Sequence, residues 1–163
     1  MSAKKPEGLS IQEAINALRK LDPELIPLLN AFQIEDLKPE TNYYRSLTRA
    51  IIYQQLSGKA AKTISDRFIA LYHGKDYPSP DDVLKTDNET LRSVGLSNAK
   101  AKYIKNISQA FLSGSIDYKN LGNLSNDAIM EQLVAIKGVG PWTAQMSVSY
   151  THLRAHETEA DLV

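Results

Sequence analysis

Residues Leu133–Met146 read LVAIKGVGPWTAQM, and the order of residue types in this stretch decides the fold. An apolar helix arriving from Ser125 is expected to end at Ile136, because Gly138 and Gly140, one residue apart, permit a tight hairpin that no helix would carry. Pro141 then suits the first position of a following helix, where its fixed φ and missing N–H cost nothing. The unit is helix, hairpin, helix. Glycines leave their amides unshielded, and amides at a helix N-terminus attract an anion. Lys137 and Thr143 flank the pair and are placed to reach the same phosphate. A bare G-x-G is more often an ordinary tight turn between packed helices; the two flanking residues weaken that reading, since both can reach the same phosphate.

Working outward, helical signals recur and strand signals are nearly missing. Ser10 and Glu13 form a capping box ahead of Ile11, Ala14, Ile15, Leu18 and Leu21, which recur at helical spacing. Asp22-Pro23 closes that helix and opens a short one. Further helices are expected from about Asn42 to Leu56, with Leu47, Ala50 and Ile51 on the buried side, and from Lys59 to Tyr72. Ser79-Pro80-Asp81-Asp82 caps another that ends at Lys85. Asn88 to Ser93, Asn98 to Leu112 and Ser125 to Ile136 complete the set, with Gly114 closing the helix that starts at Asn98. The fold class is all-α, without repeats or a long linker.

The chain has 163 residues, 42% hydrophobic and 23% charged, enough for one full core and too few for two large domains. No apolar run approaches the roughly 20 residues of a membrane span, and Met1–Leu9 has no apolar stretch behind its lysines, so an intracellular address is expected. There is no cysteine, which excludes disulfides, thiolate nucleophiles and a Cys-ligated iron-sulfur cluster. Nineteen basic residues balance nineteen acidic ones, so no net field draws in a polyanion. The balance is uneven locally: Arg45, Arg49, Lys59, Lys62 and Arg67 face one acid, Asp66, and Arg92, Lys100, Lys102, Lys105 and Lys119 face one acid, Asp117. Charge runs are usually solvated faces, and these carry meaning only beside a phosphate site.

Four segments together resemble one family. KGVGPWTAQM resembles the helix-hairpin-helix of base-excision DNA glycosylases. YYRSLTRAIIYQQLSGKAAK, Tyr43–Lys62, is similar to the N-terminal signature of their 3-methyladenine DNA glycosylase II branch. LRSVGLSNAKAKYI, Leu91–Ile104, is similar to that branch's central motif, and ALRKLDPELIPLL, Ala17–Leu29, to its opening. The matches stand in family order. The resemblance implies a two-lobed helical DNA glycosylase fold, with double-stranded DNA crossing the cleft and an alkylated base flipped out. A monomer is expected.

Strand-cutting members place a lysine two residues after the second glycine to form a Schiff base. Trp142 stands there instead, so that lyase route is closed and the implied reaction is hydrolysis of the base–sugar bond. A tryptophan offers a π face, worth about 1–3 kcal/mol per stacked base, with a cation–π contribution of about 0.5–2 kcal/mol for a cationic purine. Taken alone, the only tryptophan of a chain is more often a core anchor. The resemblance makes Trp142, with Tyr53, the wall of the base pocket. It makes Gln55 and Leu56 the wedge that fills the gap left by the flipped nucleotide. Lys137, Gly138, Gly140 and Thr143 become the DNA-backbone contacts. By family analogy only, the main-chain carbonyls of Val134, Ile136 and Val139 hold a monovalent cation; no other cofactor is expected. A non-catalytic duplex-binding module explains the glycines and basic stretches equally well, but leaves the YQQLS turn unexplained.

The sugar cation that forms on bond cleavage requires a carboxylate, which the family supplies as an aspartate beyond the hairpin, after an apolar helix. Here the pattern breaks. After Met146 the sequence SVSYTHLRAHETEADLV is polar and without an apolar stripe. The expectation is a glycosylase domain over residues 1–146, incomplete at its C-terminus, and a non-family tail over 147–163 resembling vector read-through. Asp161 falls near the family spacing but in the wrong surroundings, a weak candidate, and the chain is expected to be inactive or nearly so. His152, His156 and Glu157 lack the further ligand that a metal site needs.

Overall fold

The computed structural model describes residues 11–32, 40, 42–118 and 120–152, and every regular element among them is helical. The chain divides into two compact units, Met1–Pro39 with Leu153–Val163, and Glu40–His152. In the first, α1 (Ile11–Leu21) is followed by a 3-10 turn at Pro23–Leu25, capped by the Asp22 carboxylate on the Glu24 amide, and by α2 (Ile26–Ala31). Ser10, half of the expected capping box, lies outside the described residues.

The second unit holds α3 (Tyr43–Tyr53), α4 (Gly58–Ala70), α5 (Pro80–Lys85), α6 (Asn88–Ser93), α7 (Asn98–Ser113), α8 (Asn126–Val134) and α9 (Pro141–His152). Local chemistry explains their starts. Asn42, Ser57, Ser79, Asp87, Ser97 and Ser125 each accept an amide of the first turn that would otherwise lack a partner. Gly114 ends α7 in the left-handed conformation. None of the described helices is long and apolar enough to cross a membrane.

α3 lies at the centre, packed against α7 and α9. Its Leu47, Ile51 and Ile52 join Phe68, Val83, Leu91, Ile104 and Ile107 in the core. Ala50, expected on the buried side, is only half buried because it faces a cavity. Buried hydroxyls are paired: Tyr44 with Ser108, and Thr48 with Tyr77, both at 2.7 Å. Three helix ends fall at least two residues short of the sequence reading: α4 closes at Ala70 rather than Tyr72, α8 at Val134 rather than Ile136, and α3 at Tyr53 rather than Leu56, because Gln54 turns extended and Gln55 left-handed. α9 runs from Pro141 to His152. Ala144, Ser147 and Val148 are buried, at helical spacing, and the Ser147 hydroxyl donates to Ser46 of α3. A stripe of such small residues permits close helix approach while giving almost no hydrophobic periodicity.

Candidate functional site

The hairpin between α8 and α9 is built by short-range amide bonds, Ile136 N–H to the Leu133 carbonyl and Val139 N–H to the Ile136 carbonyl at 2.9 Å. Gly140 caps α9 by accepting from Ala144 N–H at 3.0 Å, so the amides of Trp142 and Thr143 fall in a first turn that offers them no intrahelical acceptor. The two glycines have different duties. Gly138 adopts φ +105°, and a Cβ there would stand 2.1 Å from the Tyr103 ring. Gly140 has no positive φ, is exposed, and a Cβ on it would meet nothing within 4 Å. The first glycine is required by the fold; the second leaves an open approach from solvent. Asn106 fastens the hairpin from behind by donating to the Lys137 carbonyl at 2.8 Å, while the Lys137 side chain is exposed.

Thr143, expected beside the phosphate, is 2% exposed. Its hydroxyl accepts from Gln54 Nε2 at 2.7 Å. That commits the hydroxyl to the α3 turn and leaves the backbone amide as the part of Thr143 available to an anion. α8 ends at Val134, and beyond it the Ile136 carbonyl accepts the Val139 amide within the hairpin. The Val139 side chain is buried.

The turn from α3 to α4 carries the other candidates. Gln55 has φ +54°, the only non-glycine with positive φ among the described residues, and such a conformation costs an ordinary residue roughly 1–2 kcal/mol. Gln55 is exposed and Leu56 is 39% exposed. An apolar side chain and a long amide thus project from a strained turn. Lys100 of α7 donates to the carbonyls of Ile52 and Gln54 at 2.9 and 2.8 Å, and burial pulls its ammonium below the ordinary lysine range.

Between α3 and α9 lies a cavity of about 450 Å³, lined by Glu40, Ser46, Arg49, Ala50, Tyr53, Trp142 and Met146. Tyr53 and Trp142, paired by resemblance, share it. Trp142 is 62% exposed, which rules out its being a core anchor. The sequence reading missed Arg49 and Glu40. The Arg49 guanidinium lies 4.7 Å from the centre of the Tyr53 ring, and Glu40 accepts the Asn42 amide at 2.9 Å and pairs with Arg45 at 3.6 Å. One turn of helix separates Arg49 from Arg45 and Tyr53, which was the available signal. Several cations of the basic stretches are engaged internally: Arg45 with Glu40, Lys62 with Asp66, Lys100 with carbonyls. Lys59, Lys102 and Lys137 are exposed. Asp161, His156 and Glu157 lie outside the described residues.

A family model described as HhH-GPD superfamily base excision DNA repair protein matches residues 48–158. The chain belongs to the HhH-GPD superfamily. The superfamily match runs past Met146, as α9 does. DNA-3-methyladenine glycosylase 1 of Schizosaccharomyces pombe is 33% identical over 138 residues, covering 84% of this chain and 60% of the relative. DNA-3-methyladenine glycosylase of Saccharomyces cerevisiae is 34% identical over 139 residues, 77% of this chain and 47% of the relative. The solved 3-methyladenine DNA glycosylase of S. pombe in complex with abasic DNA superposes with TM-score 0.77 at 32% identity, covering 91% of this chain and 74% of that one. The chain spans 60% of the length of the first of these curated relatives and 47% of the second.

Proposed function

We propose that this HhH-GPD chain is the DNA-binding and base-pocket portion of a monofunctional glycosylase that hydrolyses the N-glycosidic bond of alkylated purines, such as 3-methyladenine, in double-stranded DNA. The observation that carries the reading is the cavity: Trp142 and Tyr53 line one space between α3 and α9, within the range typical of ligand sites, and the turn that ends α3 and the hairpin that starts α9 follow from those same helices. The amides of Gly140, Trp142 and Thr143, with Lys137, take one backbone phosphate. Gln55 and Leu56 enter the stack as the nucleotide leaves it, and the base comes to rest against Trp142. A ring-alkylated purine is a cationic leaving group, so no general acid is needed. The reaction still requires a carboxylate beside the developing sugar cation. Trp142 supplies no amine, so the product is an abasic site rather than a cut strand.

The carbonyls of Val134, Ile136 and Val139 hold a monovalent cation in this reading. The support is the end of α8 at Val134, which gathers carbonyl oxygens, hard donors suited to such an ion. Work on chromosomal DNA requires a protein inside the cell, in the cytoplasm or nucleoid where the source is a bacterium or archaeon, and this reading has it act as a monomer. The deciding experiment measures release of 3-methyladenine from methylated duplex by this chain, by its Asp161→Asn variant, and by the same body carrying a family-like C-terminus that restores the aspartate, with and without Trp142→Ala. The proposal expects the restored chain to release base and its Trp142→Ala variant to lose excision while keeping affinity for undamaged duplex. Release by the unrestored chain that Asp161→Asn abolishes makes Asp161 the carboxylate; equal loss of excision and affinity in Trp142→Ala takes Trp142 out of the base pocket, and duplex binding with no base release by the restored chain favours a binding module.

A further inference from the structure

The turn that carries Gln55 and Leu56 is held in a shape its own sequence does not favour. A left-handed residue after a helix is usually glycine; here it is Gln55, while the glycine of this turn, Gly58, sits inside the next helix. The strain therefore has to be offset by bonds from elsewhere, and two are present. Lys100 reaches across from the first turn of α7 to the carbonyls of Ile52 and Gln54, at 2.9 and 2.8 Å, placing a cation at the negative end of α3. From the other side Gln54 Nε2 donates to the buried Thr143 hydroxyl at 2.7 Å. The residue immediately before Gln55 is thus gripped by its carbonyl and by its side chain, from α7 and α9 respectively.

We infer that Lys100 is a positioning residue for DNA entry: its ammonium, together with the Gln54–Thr143 bond, sets the α3–α4 turn in the projecting form that inserts Gln55 and Leu56 into the duplex. The inference rests on the wedge reading above. It also separates Lys100 from the other cations of its basic stretch. Two of its three donors are spent on carbonyls, which ties the ammonium to the α3 end and sets it apart from the exposed charges that neutralise phosphate.

The test uses the full chain and needs no turnover. A duplex carries 2-aminopurine next to a tetrahydrofuran abasic analogue, and its fluorescence rises when the neighbouring stack is opened by an inserted side chain. Wild type is expected to raise the signal, and Gln55→Ala and Leu56→Ala to lose most of it. Lys100→Met is expected to lose a comparable share while its affinity for undamaged duplex stays within about threefold and its salt slope is unchanged. Lys100→Arg, which keeps donors for the same carbonyls, is expected to restore more than half of the signal. Thr143→Val, which removes the acceptor of Gln54, should reproduce the loss independently should Lys100→Met melt early. If Gln55→Ala and Leu56→Ala keep the wild-type signal, the wedge reading itself fails. If those two lose it while Lys100→Met and Thr143→Val both retain it, the positioning role is wrong. A salt slope reduced by about one in Lys100→Met makes Lys100 a phosphate contact and overturns the inference.

Discussion

Substituting the two hairpin glycines should separate folding from DNA binding. At Gly138 an alanine meets two penalties. The backbone is at φ +105°, which costs a side-chain-bearing residue roughly 1–2 kcal/mol. The new methyl also falls 2.1–2.8 Å from three atoms of the Tyr103 ring, and overpacking of this kind costs about 1–3 kcal/mol. The sum, about 2–5 kcal/mol, lowers the melting temperature by about 4–20 °C, at about 2–4 °C per kcal/mol for a chain of this size. At Gly140 neither penalty exists, and Gly→Ala at a compatible position stabilises by about 0.4–1 kcal/mol. Its methyl instead occupies the approach to the amides. Losing one charge-assisted amide bond costs about 1.5–3 kcal/mol, or roughly 10–150-fold in affinity. Melting followed by circular dichroism, with duplex affinity measured by fluorescence anisotropy well below both transitions, reads the two effects separately. Adding Tyr103→Ala to Gly138→Ala should recover the overpacking share and leave the dihedral share. The reasoning is refuted if Gly138→Ala melts with wild type, or if Gly140→Ala binds duplex as tightly as wild type.

Three further outcomes are expected. Arg49 places a cation on the Tyr53 face inside the cavity, so Arg49→Gln should tighten binding of the fixed cation 3,9-dimethyladeninium more than that of neutral adenine. Trp142, the chain's only tryptophan, reports both titrations by its fluorescence, and an unchanged ratio counts against the argument. Lys137→Ala should weaken duplex binding without base preference and lower the salt slope by about one; a slope equal to wild type removes Lys137 from the interface. Asp82 is held at about 2, first by Lys75 and then by the Ser79 hydroxyl and amide, against an ordinary value of 3.8. Its contribution to stability is complete above that ordinary value and is lost as pH falls toward 2. Asp82→Asn should therefore lower the melting temperature at neutral pH and leave it less dependent on pH between these limits, as scanning calorimetry would show.

The helices were legible because their signals are local. A serine three residues ahead of a waiting amide is read from spacing alone, as at Ser79, and a glycine after an apolar stripe marks an end, as at Gly114. The hairpin, the aromatic in place of a lysine, and the identity of the pocket tryptophan were equally present in LVAIKGVGPWTAQM. What depended on tertiary structure involves partners far apart in the chain. Gly138 and Gly140 look alike in sequence, and only Tyr103, brought in by α7, distinguishes them. Gln54 and Thr143 are 89 positions apart, and their bond gives the Thr143 hydroxyl a partner in the α3 turn that no local signal announces. α3 ended early for the same reason: the left-handed Gln55 has no local signal, since a glutamine adopts that conformation only where bonds from other helices offset its cost. The continuation of α9 past Met146 was hidden because Ala144, Ser147 and Val148 pack by being small, and smallness leaves no hydrophobic period to read.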